Sequence, residues 1–183
     1  MLKNLLMTGL IIVLLALALA PDWHYKNPSY TLTKEQITQL KLLGDSAIQT
    51  LDVPVAALVL YNGKIIGRGY NTVARTGNVG GHAEINAISD AIHGLGVEQF
   101  NKLDRKQLSL ITTFEPCKMC EGAIVDNYIK HVIVVKGKPL KQWYKNWKIR
   151  LQYQWNKQHT DIDTLQDFLF ERHPGYNKSK ADL

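Results

Sequence analysis

Cysteine is scarce in this chain. Two occur in 183 residues, and both fall in Pro116-Cys117-Lys118-Met119-Cys120. One motif therefore uses both, and no structural disulfide remains for a stapled fold. No cysteine stands directly after the apolar run at residues 5–20, which excludes a lipoprotein anchor. Internal repeats and low-complexity stretches are missing too, which argues against a repeat array. Acid is absent from Lys136 to Gln158, a segment holding six lysines and one arginine. Its charge of +7 exceeds the +6 of the whole chain, so all the excess positive charge is local.

Charge of either sign is missing from Leu5 to Ala20, sixteen residues behind Lys3. A charged start, an apolar centre and a small-residue end are the pattern of a signal peptide. Ala16-Leu17-Ala18 and Ala18-Leu19-Ala20 are candidate cleavage sites, the second hindered by Pro21. As a helix the run would span roughly 24 Å, a little short of a hydrocarbon core of about 30 Å. Residues 1–20 are thus expected to be a signal peptide or membrane anchor. The Lys3 bias favours the remainder outside the cytoplasm, with the cytoplasmic side left open. Residues 21–30, with two prolines, read as a linker. One domain is expected over 31–177, long enough for a substantial core. The lysine-rich residues 178–183 are expected to be a mobile tail.

The order of elements within that domain is local in origin. Thr33 and Gln36 form a capping-box pattern, and Ile37, Leu40, Ala47 and Leu51 give the following helix its apolar stripe. Asn62-Gly63 between Val55–Tyr61 and Lys64–Tyr70 predicts a hairpin. Leu108 to Phe114 is short, apolar and β-branched, which predicts a strand, as does His131 to Val135. The order α-β-β-α-β-α-β with two terminal helices suggests a three-layer α/β fold. Within Lys136 to Gln158, Leu140, Trp143, Trp147 and Leu151 suit a helix packed on the domain with its lysines in water. Interleaved cations and aromatics equally suit nucleic acid or an anionic membrane surface.

The chemistry is concentrated in two motifs. Upstream of the cysteines stands one His-x-Glu, His82-Ala83-Glu84. One imidazole and two thiolates can hold zinc with a fourth position left for water, the composition of a catalytic rather than a closed structural site. Pro116 breaks the preceding strand and can open a helix. Cys117 and Cys120 then share one face of the first turn, where the helix terminus favours thiolates. Gly80-Gly81 ends a loop, and Ile85, Ile88 and Ile92 follow at helical spacing, which sets His82 and Glu84 at the start of a second helix. A redox Cys-x-x-Cys would account for the cysteines but leave His82 and Glu84 idle. A core histidine, a surface glutamate and two buried thiols are the blander alternative.

His-x-Glu followed by Pro-Cys-x-x-Cys is the signature of zinc-dependent nucleobase deaminases. The stretch from Gly69 to Val135 resembles cytidine and deoxycytidylate deaminases, and more closely the branch of tRNA adenosine deaminases and guanine deaminases. Gly69-Tyr70-Asn71, the segment HAEINAI at His82 to Ile88 and the segment TTFEPCKMCEGAIVDNYIKHVIV at Thr112 to Val134 carry the likeness. His173 to Asn177, HPGYN, is similar to the C-terminal region of the bacterial tRNA enzymes. Two positions depart from it. Asn78-Val79-Gly80-Gly81 replaces an Asp-Pro-Thr-Ala-like segment, removing side chains that would shape the pocket, and Phe114 stands where leucine is common.

The resemblance implies a three-layer α/β/α cytidine deaminase-like fold with a mixed sheet. It implies one zinc ion per chain on His82, Cys117 and Cys120, and hydrolytic loss of ammonia from a nucleobase or nucleoside. Glu84 would be the proton carrier, outside the metal's ligand set. The peptide N–H of Ala83 would touch a base carbonyl or ring nitrogen. Asn71, whose amide both donates and accepts, is a candidate base reader or else a turn residue. Glu115 is a candidate for orienting the site or else a surface or capping residue. A homodimer is implied as well. A zinc-stabilised module that binds nucleic acid or membrane without catalysis is the alternative of another class.

Overall fold

The computed structural model describes residues 9–15, 29–137, 157–162 and 164–175. Most of the expected signal or anchor segment, the linker, the tail and the interior of the basic segment lie outside them. Residues 9–15 are helical and exposed. Among the described residues no helix is long and apolar enough to cross a membrane.

Helix α1, Lys34–Gln49, starts where the sequence indicates. Thr33 accepts from Gln36 N, and the Gln36 side chain accepts in return from Thr33 N, closing the capping box. Its buried residues include Leu40 and Ala47, but Leu51 does not join them. The helix stops at Gln49, and Leu51 takes a left-handed φ of 58° with its side chain 64% exposed. The Asp52 N–H reaches back to Ala47 O at 2.9 Å, a Schellman-type closure. This reversal ends the stripe and delivers the Asp52 side chain inward.

Strands β1, Ala56–Tyr61, and β2, Lys64–Tyr70, form the expected hairpin. Asn62 and Gly63 take φ values of 51° and 75°, the left-handed pair of a two-residue turn. β1 pairs antiparallel with β3, Leu108–Phe114, and β3 pairs parallel with β4, His131–Lys136. A short strand β5, Lys157–His159, lies parallel to β4 and completes a five-stranded mixed sheet in the order β2-β1-β3-β4-β5. The helix expected from Leu140 to Leu151 lies outside the described residues; at the ends of the basic segment, Lys136 closes β4 and Lys157 and Gln158 begin β5. Lys157-Gln158-His159 carries no apolar alternation, because it meets the sheet along one edge.

The remaining helices are α2, Val73–Thr76; α3, Ala83–Leu95; α4, Val97–Lys102; α5, Lys118–Asp126; and α6, Thr164–Arg172. The sheet is covered on both faces. Ala57, Val59, Leu108, Leu110, Val132 and Val134 pack with Ala83, Ala87 and Ile88 of α3 and Ile124 of α5. The alternate residues Ala56, Leu58, Leu60, Ile111 and Ile133 pack with Leu40 of α1 and Leu165 of α6. Strict period-two alternation thus feeds two cores and gives the three-layer architecture.

One contact fixes α3 on the sheet. A Cβ at Gly69 would lie 2.2 Å from Ala83 O and 2.3 Å from Ala87 N. The helix therefore rides directly on β2, with small residues on both sides of the contact. This explains why its buried stripe contains Ala83, Ala87 and Ala91 as well as Ile88, where isoleucine spacing alone suggests a bulkier face.

Candidate metal and catalytic site

Every element that builds the site converges on one end of the sheet. β3 ends at Phe114, and Glu115 and Pro116 lead into α5, with Cys117 as its N-cap. β2 ends at Tyr70 and leads into Asn71. β1 runs antiparallel to β3, so its entry residues Val53 and Val55 lie at the same end. His82 is the N-cap of α3. The two helix starts meet: His82 Nδ1 is 3.6 Å from Cys117 Sγ and 3.5 Å from Cys120 Sγ, and the sulfurs are 3.6 Å apart. Among the described residues these are the side chains gathered closely enough to share a metal ion.

The triangle fits zinc. Tetrahedral ligands at the usual Zn–S and Zn–N lengths lie about 3.8 Å apart for a sulfur pair and about 3.6 Å for sulfur and nitrogen. The donor set is of the kind that leaves a fourth position for water. Without a metal the two thiols ionise unequally. The neighbouring Cys120 thiol holds the Cys117 thiol down at about 3, with burial opposing and His82 assisting. Cys120 is pushed up in turn by Cys117, by burial and by the Glu84 charge. Metal-free, the pair shares one proton that a ligated zinc must displace.

Glu84 sits in the first turn of α3, 3% exposed. Its Oε2 lies 3.3 Å from Cys120 Sγ, and its Oε1 accepts from Thr112 Oγ1 at 3.3 Å. Burial raises its carboxyl above the ordinary value, against its own backbone N–H and Cys120, which lower it. A carboxyl that keeps its proton to higher pH beside a metal site is suited to proton transfer.

Above these groups opens a cleft of about 290 Å3 lined by Asn71, His82, Ala83, Glu84, Glu115 and Cys117, with Val53, Val55, Val73 and Phe114 as apolar walls. Every site residue expected from the sequence therefore borders the cleft or, for the buried Cys120, lies directly beneath it. Asn71 is 8% exposed, and its Oδ1 accepts from Val73 N at 3.0 Å. The carbonyl shapes the turn, and the residue also borders the cleft. Ala83 offers a first-turn N–H, which has no partner inside its helix. Glu115 is buried, at 3% exposure, with its N–H on Lys136 O. Lys136 itself pairs with Asp167 at 2.6 Å, so this end of the basic segment is committed to the fold.

Three supporting residues escape a reading of motifs. Asp52 is fully buried and accepts from Ala74 N at 2.5 Å and Thr50 Oγ1 at 2.8 Å. It anchors α2, and with it the Val73 wall. The Asn86 amide reaches Tyr70 O at 2.8 Å, Thr72 Oγ1 at 3.1 Å and Gly81 O at 3.3 Å, tying both ends of the 71–81 loop to α3. Thr112 carries the hydroxyl beneath Glu84. Gly81 belongs to this latch as well: a Cβ there would lie 2.6 Å from Thr72 Oγ1. Gly80 and Gly81 are not among the residues lining the cleft.

Comparison with known proteins agrees with this geometry. The model of the cytidine and deoxycytidylate deaminase zinc-binding region matches residues 32–136. A tRNA-specific adenosine deaminase of Buchnera aphidicola is 34% identical over 95 residues, which cover 52% of this chain and 58% of that protein. The chain thus spans little more than half the length of that curated relative. The solved structure of guanine deaminase from Bacillus subtilis superimposes with a TM-score of 0.50 at 26% identity, over 63% of this chain and 71% of that one. Guanine deaminase from Nitrosomonas europaea, at 19% identity, shares the fold over 87% of this chain and 91% of its own, with a TM-score of 0.59.

Proposed function

This chain belongs to the cytidine and deoxycytidylate deaminase zinc-binding family, and we propose that it is a zinc-dependent hydrolase that deaminates a nucleobase or nucleoside. The observation that carries the reading is the position of Glu84, buried at the floor of the cleft and 3.3 Å from a sulfur of the metal-donor triangle. Zinc held by His82, Cys117 and Cys120 would supply, when bound, a water acidic enough to yield hydroxide near neutral pH. Glu84 would carry one proton from that water to the ring nitrogen and a second, from the hydroxyl added to the ring carbon, to the amino group that leaves as ammonia. Val53, Val55, Val73 and Phe114 hold the flat ring and exclude bulk water. The Asn71 amide and the Ala83 N–H orient its polar edge, and Glu115 borders the same edge.

The uncharged run at residues 5–20 supports an exported or anchored enzyme, for which free bases or nucleosides are the accessible substrates. Identity to a tRNA-specific adenosine deaminase and the basic segment support a second reading, adenosine to inosine in tRNA, if the domain faces the cytoplasm. A homodimer is part of the proposal. A screen for ammonia release over cytosine, guanine, adenine, their nucleosides and tRNA separates these readings. Release from a free base or nucleoside supports the first, and release from tRNA alone supports the second. Stoichiometric zinc with no release from any of them would leave a binding module.

A further inference from the structure

Thr112 is fully buried in β3, on the face that meets α3. Its hydroxyl lies 3.3 Å from Glu84 Oε1 and 3.0 Å from Phe114 O. Both groups border the cleft. One hydroxyl therefore joins the carboxyl at the cleft floor to the backbone behind its aromatic wall. With zinc bound, both cysteine sulfurs are occupied as ligands and Cys120 no longer donates. The hydroxyl has one proton, shared between Phe114 O and Glu84 Oε1, and among the described residues it is then the side-chain hydroxyl within reach of Glu84. No motif singles out Thr112, because a threonine within a β-branched run reads as ordinary strand.

We infer that Thr112 is a positioning residue that aims the Glu84 carboxyl at the substrate side of the metal site. The inference rests on Glu84 being the proton carrier. A buried carboxyl with one lateral side-chain contact beside its own backbone N–H swings once that contact is removed, and proton transfer depends steeply on its aim. Valine matches threonine in shape but lacks the hydroxyl, and serine restores the hydroxyl without the methyl.

The test compares zinc-loaded wild type with Thr112→Val and Thr112→Ser. Ammonia release is followed on guanine, cytosine and adenine, free and as nucleosides. In parallel, infrared difference spectra isolate the Glu84 carboxyl band as the one that disappears in Glu84→Gln. Thr112→Val should keep one zinc per chain and a KM within about twofold while kcat falls about tenfold, with the Glu84 band displaced. Thr112→Ser should return both kcat and band toward wild type. An unshifted band in Thr112→Val overturns the inference whatever the activity does, as does a kcat loss that serine fails to restore. Should valine unfold the strand, Thr112→Ala beside Thr112→Ser gives the same comparison. If wild type releases no ammonia from any of these compounds or from tRNA, the deaminase reading fails separately, and the band alone decides the Thr112 contact.

Discussion

Asp52 Oδ1 accepts the backbone N–H of Ala74 at 2.5 Å, across 22 positions of sequence. That bond joins the end of α1 to the short helix α2, whose Val73 walls the cleft. A fully buried carboxylate here thus has a task outside catalysis: it fixes the wall against which a substrate ring would lie. Asp52→Ala leaves the Ala74 N–H without its acceptor, while Thr50 Oγ1 still reaches Ala47 O at 3.1 Å, and should cost about 1–3 kcal/mol of stability. Chemical denaturation measures that cost. In steady-state kinetics the same variant should raise KM more than it lowers kcat, because the wall moves while Glu84 and the donor triangle stay in place.

Gly69 offers a steric test of how α3 is seated. A methyl group added there would fall 2.2 Å from Ala83 O, backbone that cannot yield without moving the helix start. Gly69→Ala should destabilise the fold by about 1–3 kcal/mol. It should also weaken zinc retention, because Ala83 directly follows His82. Zinc content after gel filtration checks the second effect. A variant that is stable and fully loaded would mean that α3 is freer than its packing indicates.

The donor triangle predicts how the metal and fold depend on one another. Cys120→Ser should lose stoichiometric zinc, and chelation of wild type should lower its melting temperature and stop ammonia release. Added zinc should restore both. Metal analysis of the purified protein, with thiol titration before and after chelation, reads this out. Protein lacking zinc and titrating as a disulfide would favour the redox alternative.

Much of this arrangement is legible in the sequence because its causes are local. The capping box at Thr33 and Gln36, the Asn62-Gly63 turn and the strand Leu108–Phe114 each depend on neighbours a few residues away. The metal donors are legible for another reason: their chemical types are rare in this chain and occur in a fixed order. The less legible features depend on distant partners. β5 is polar and short, held by pairing with β4 and lacking an apolar pattern of its own. Leu51 continues the helical stripe on paper, yet backbone closure onto Ala47 O turns it outward. Asp52 and Thr112 look like ordinary loop and strand residues until the fold brings Ala74 and Glu84 against them.

Hydrolytic deamination through Glu84 is tested most directly by ammonia release from zinc-loaded Glu84→Gln beside wild type, on the best substrate of the screen. Glutamine preserves size and hydrogen bonding but cannot carry the proton. The variant should hold one zinc per chain and lose activity by about 10²–10⁴-fold. Release at the wild-type rate with zinc in place would contradict the assignment of Glu84 as proton carrier.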